Sequence, residues 1–182
     1  MSESDAAAVG GGGADDTVPV LPTNEVQPSE DPPRDLTAVL VNFAEVLPPP
    51  TSDDADDSWR SRNNAVNLLR QVVIHHPDLV RTGTTTNGGD GGGAGASLHA
   101  ALLGPVRDNA MNLRSAVART AIRTLLEFYS FLGDWMQSGP GGRGEIEETV
   151  STLVKLSSSE KRFLRDAARE VLGSKPGSEG GF

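Results

Sequence analysis

Three histidines, His75, His76 and His99, are the side chains of this chain best suited to hold a metal or carry a proton. His75 and His76 are adjacent, so on a helix they point to different sides and do not assemble a ligand set. Ser97-Leu98-His99 pairs a hydroxyl with an imidazole, yet it has no matching acid and no nucleophile elbow to make an acyl-transfer triad. The glycine-rich run at 87–95 would cradle a phosphate if it followed a strand and ended in Lys-Ser or Lys-Thr. It follows a helical pattern and lacks that ending. With no cysteine, disulfides and thiolate metal sites are excluded. The expectation is a non-enzymatic protein that uses no cofactor and no metal.

What the chain repeats instead is a basic turn. Trp59-Arg60, Leu113-Arg114-Ser115 and Lys161-Arg162 each open a segment whose apolar residues then recur at helical spacing. Cations at a helix start oppose the helix dipole by a few tenths of a kcal/mol, about 0.3 or more. That misfit favours a functional reason for three such turns. Stacked helix pairs would bring them to one edge, and the edge would dock a partner.

The elements that must position these turns are all helical. Leu36, Val39, Leu40, Phe43, Val46 and Leu47 predict a first helix that Pro48-Pro49-Pro50 stops. After an acidic loop at 51–58, a second helix runs from Trp59 to His75, with Ala65, Leu68, Leu69, Val72 and Val73 inward, and Pro77 ends it. Residues 82–96 read as a flexible glycine-rich linker. A third helix starts near Ser97 and is kinked or split at Gly104-Pro105. A fourth spans Leu113–Trp135, with Val117, Ala121, Leu125, Phe128 and Leu132 in one stripe and Trp135 packed at the edge of the core. A fifth covers Glu145–Leu156 and a sixth Glu160–Leu172, the latter ended by Gly173 and Pro176.

Six helices paired in chain order give an all-α protein: a short HEAT-like α-solenoid of about three antiparallel hairpins. Residues 1–33, rich in Ala, Gly, Pro and acids, are expected to be a disordered tail. Residues 34–172 form the repeat domain, and 173–182 a second disordered tail.

The net charge of −9 is unevenly spread: residues 1–57 hold 13 acidic side chains against Arg34 alone, whereas residues 58–182 carry a net +3. A domain at +3 has too few cations to neutralise a run of phosphates, and aromatics for base stacking are only 4% of the chain, so nucleic acid is not expected as a partner. The N-terminus reads acidic and then glycine-rich, unlike a secretion signal. No apolar run approaches the roughly 18 residues of a bilayer span. No membrane partner is expected, and a soluble intracellular protein is.

Three segments resemble the first half of a TOG domain, in particular the CLASP N-terminal type. Trp59-Arg60-Ser61-Arg62-Asn63-Asn64-Ala65-Val66-Asn67-Leu68-Leu69 is similar to the family's Trp-x-x-Arg-x-x-Ala-Leu-x-x-Leu opening. Asn112-Leu113-Arg114-Ser115-Ala116-Val117-Ala118-Arg119-Thr120-Ala121 resembles its Asp-Leu-Arg-Ser-x-Val-x-Arg-x-Ala run, with Asn112 where the family has Asp. Lys161-Arg162-Phe163-Leu164-Arg165-Asp166-Ala167-Ala168 is similar to the third-repeat pattern Lys-x-(Val/Phe)-(Ile/Leu)-x-x-Ala-Ala.

The resemblance covers about residues 35–172, three repeats where the family has about six. It implies a protein that grips tubulin or microtubules by its intra-repeat turns and regulates microtubule dynamics or organisation. The implied location is the cytoplasm and cytoskeleton, including a cilium or flagellum. Carried over by position, the partner-binding residues are Trp59, Arg60, Arg114, Ser115, Lys161 and Arg162.

A second reading stays open beside this one: an α-solenoid scaffold that does not bind tubulin and docks another protein on its concave or end face, with self-association or a further protein also open at the C-terminal repeat face. Trp59 likewise has two readings. It either supplies a rigid contact to the partner or folds back on its own hairpin as a hydrophobic staple.

Overall fold

Each apolar stripe becomes a helix. The computed structural model describes residues 20–45, 55–82, 94–112, 114–137 and 142–173. Among these residues are seven α-helices and no strand: α1 (Pro32–Ala44), α2 (Ala55–His75), α3 (Pro77–Thr82), α4 (Ala94–Ala110), α5 (Ser115–Gln137), α6 (Gly142–Ser157) and α7 (Arg162–Gly173). The expectations for residues 1–19, for Pro48-Pro49-Pro50 and the start of the acidic loop, for most of the glycine-rich linker and for 174–182 lie outside the described residues.

Most helix starts differ from the sequence reading by a few residues, and α4 begins at Ala94, inside the stretch read as a flexible linker. Helix α2 begins at Ala55, four residues ahead of the Trp59 start that the sequence suggested. Pro77 ends α2 as expected, but it also opens the short helix α3. Its missing N–H is one of the groups that find no partner in a first turn anyway. At the front of α1, Asp31 accepts the Arg34 N–H at 3.3 Å and two prolines fill the first positions.

Two interruptions exchange places. Pro105 was the expected break in the third helix, yet α4 runs through it as one element, held by buried Leu102, Leu103, Val106 and Ala110 on its inner face. The break lies instead in α5 at Leu132, whose φ of −128° and ψ of 19° are not helical. Arg81 donates to the Phe131 carbonyl there at 2.7 Å, and Trp135 beyond the break stacks on Phe128 with ring centroids 6.2 Å apart.

The helices pair as α1 with α2, α4 with α5 and α6 with α7. Across the pairs, α5 packs between α2 and α7, and α4 between α1 and α6. One apolar core runs through all of them, from Leu36 and Val39 in α1 to Leu164 and Ala168 in α7.

Arginines bridge the seams. Arg62 of α2 donates to the Asn42 and Glu45 carbonyls at 2.7 and 2.9 Å and so binds the end of α1 to α2. Arg107 of α4 pairs with Glu145 and Glu148 of α6, and Arg123 of α5 with Glu170 of α7 at 3.0 Å.

The disordered tail proposed for residues 1–33 needs correcting over 20–33. Residues 20–31 form a strap folded across the last turns of α2 and the middle of α5, with a 3-10 turn at Thr23–Glu25, and Pro32 and Pro33 already belong to α1. Arg70 donates to the Leu21 carbonyl at 2.7 Å, the His75 ring hydrogen-bonds the Val26 carbonyl at 2.7 Å, and the Val26 side chain is buried. Composition alone favours disorder here. The strap is ordered because the buried Arg70 and the His75 ring hydrogen-bond its carbonyls, and Val26 is buried beneath it.

Candidate functional site

The first two basic turns meet on one indole. Trp59 is in the first part of α2 and packs against Ala116 and Val117 of α5, which leaves its side chain 8% exposed. The guanidinium carbons of Arg60 and Arg114 lie 5.6 and 5.7 Å from its ring centroid. Both arginines are exposed. A ring quadrupole attracts each cation by about 0.5–1 kcal/mol at such sites, which offsets part of the repulsion between two like charges on one ring. Trp59 therefore serves as a platform. Its burial leaves little of the ring to meet a partner directly, and the exposed groups of this cluster are the arginines it carries.

The second and third turns share one local design. Asn112 Oδ1 accepts the Arg114 N–H at 2.9 Å, and Ser159 Oγ accepts the Lys161 N–H at 3.2 Å. In both, a short polar side chain closes a turn onto the residue two positions later. Arg114 and Lys161 then occupy equivalent places, each lending its carbonyl to the first helical hydrogen bonds: Ala118 N–H to Arg114, and Leu164 and Arg165 N–H to Lys161. An amide oxygen at 112 thus does the work that a carboxylate would do there. Ser115, half-buried, is the first residue of α5; Arg162, exposed, is the first of α7 and pairs with Asp166 at 3.4 Å.

Of the six residues expected at the edge, the structure brings together Trp59, Arg60 and Arg114, with Ser115 adjoining. Lys161 and Arg162 stand at the start of α7, beside Phe163. On this side Arg119 of α5 links the second hairpin to the third, its guanidinium carbon 4.5 Å from the Phe163 ring centroid.

Sequence reasoning missed the buried polar groups. Arg70 and Glu127 form a fully buried pair between α2 and α5, and Thr23 of the strap donates to the same carboxylate at 3.0 Å. The signal was present. Thr120, Thr124 and Glu127 recur at helical spacing on the inner face of α5, and Arg70 falls among the Val66, Leu69 and Val73 positions of α2. Arg62 lost solvent as it met the end of α1, and that desolvation lowers its pKa while Glu45 acts in the opposite sense. An arginine in this range stays charged at any physiological pH.

Among the described residues, no cluster of histidines and carboxylates has the arrangement of a metal site, and no helix is long and apolar enough to cross a membrane. No protein-family model, curated protein or solved structure matches the chain.

Proposed function

We propose that this chain is a non-enzymatic docking protein, a short HEAT-like array whose basic turn edge takes an acidic protein surface. Tubulin or the microtubule lattice is the partner we assign to it. The convergence of Arg60 and Arg114, from successive hairpins, on Trp59 carries the reading. Guanidinium groups held on an aromatic platform lose less freedom on meeting carboxylates than free side chains do, and interface energy concentrates in arginine and aromatic anchors. The order of helix packing supports a repeat array, since each hairpin lies against the next in both layers. The choice of tubulin rests on the resemblance of the three turn segments.

The test is charge reversal on the edge. Arg60→Glu with Arg114→Glu is expected to weaken co-sedimentation with microtubules and binding to free tubulin by about tenfold or more, at unchanged helicity. Unchanged binding by both assays would remove the edge from the interface.

A scaffold reading is favoured by a different observation: Val150, Val154 and Leu172 are exposed on the last hairpin. If that surface is the docking face, Val154→Glu abolishes partner capture or self-association and the edge reversal is silent.

A further inference from the structure

A groove of about 310 Å³ lies where the strap, α5 and α7 meet. Ile122 and Leu126 of α5 and Phe163, Ala167 and Val171 of α7 line it with apolar surface, and the strap forms one side with Leu21 and its neighbours. Leu21 remains 47% exposed at this rim.

Two arginines of α5 border the groove, one helical turn apart, and their circumstances differ. Arg123 is fully engaged: it donates to Glu170 at 3.0 Å and to the Thr23 hydroxyl at 2.9 and 3.1 Å. Arg119 is half-buried and stacked on Phe163, and among the described residues its guanidinium has no carboxylate or carbonyl acceptor. A partly desolvated guanidinium gains most from a carboxylate that approaches in its plane while the ring holds its face. The groove therefore offers an apolar floor and, among the described residues, one cation whose donors meet no carboxylate.

We propose that this groove binds a segment of a partner protein in which a bulky apolar side chain neighbours a carboxylate. The apolar group fills the space over Ile122, Ala167 and Val171, and the carboxylate takes Arg119. Charge complementarity selects the acidic flank, because Glu170 pairs with Arg123 and, among the described residues, no carboxylate pairs with Arg119. The volume sits at the lower bound of whole small-molecule sites, about 300–1,000 Å³, and suits one large side chain with its neighbour. This site is separate from the Trp59 platform and does not depend on what docks there.

The experiment titrates the full-length protein with two peptides, Gly-Ser-Glu-Leu-Phe-Glu-Ser-Gly and its counterpart with both Glu replaced by Gln, read by amide chemical shifts. The expected result is saturable shifts clustered at residues 119–126 and 163–171, with the acidic peptide binding about fivefold or more tightly. Arg119→Gln should erase that preference without changing helicity. Val171→Gln, which leaves the charge in place, should weaken both peptides alike, and it decides the matter if Arg119→Gln unfolds. Equal affinity for the two peptides, shifts elsewhere or no saturation would overturn the proposal. So would a mass that rises with protein concentration and is not lowered by peptide, since a second copy would then fill the groove.

Discussion

Arg70 and Glu127 are joined by two hydrogen bonds of 2.8 and 2.7 Å, with both side chains 1% exposed. They tie α2 to α5, and the strap closes over them through Leu21 and Thr23. Removing one partner leaves a buried charge without compensation. Glu127→Ala should therefore cost about 3–5 kcal/mol in urea unfolding, whereas the double change Arg70→Met with Glu127→Leu should recover most of it. A double variant as unstable as the single one would show that the pair itself, not its disruption, sets the stability.

Trp59 and Arg60 are neighbours in sequence with opposite expected phenotypes. Trp59→Ala opens a cavity against Ala116 and Val117 and should lower stability by about 3–5 kcal/mol. Arg60→Gln is an exposed change and should stay within about 0.5 kcal/mol of the parent while weakening microtubule co-sedimentation. Thermal melts beside the binding assay separate the two.

How much of this was legible is uneven for a physical reason. Apolar periodicity exposed the hairpins because burial imposes it on every helix: Leu125, Phe128 and Leu132 announce α5 without help. The equivalence of Arg114 and Lys161 was also visible, since Asn112 and Ser159 are local turn formers. The strap was not. Its order depends on Arg70 and His75, which lie far off in the chain, and no local pattern at 20–27 encodes a partner so distant. The burial of Trp59 likewise depends on how α5 lies on α2, which a basic-aromatic pair alone does not specify.

The strap should contribute measurably to stability. Val26→Ala is expected to cost about 1–2 kcal/mol, from the apolar surface that Val26 no longer buries, and to speed protease cleavage near Leu21. Glu30→Ala, exposed in the same segment, should change neither. Equal effects of the two would mean that the strap is not held by its buried side chain.

Tyr129, the sole tyrosine, has its pKa raised above the ordinary 10.0 by burial, which disfavours the phenolate. Absorbance titration of the native protein should therefore give a midpoint above that of the urea-unfolded chain. The linkage has a definite sign. The stability associated with the neutral ring is fully present below the unfolded value of about 10 and is lost as pH rises through the higher native value. Coincident midpoints would contradict the burial.

Helix α5 touches α2, α3, α4, α6 and α7, so it acts as the keel on which the other helices are laid. Severing the polypeptide just ahead of Ser115 would leave the N-terminal fragment with an open oily trough and the C-terminal fragment with the face of α5 that meets α2 and α4 laid bare. Neither piece is self-sufficient, and the two should regain helicity only when mixed. A protein organised in this way tolerates additions at its ends far better than any cut through its middle.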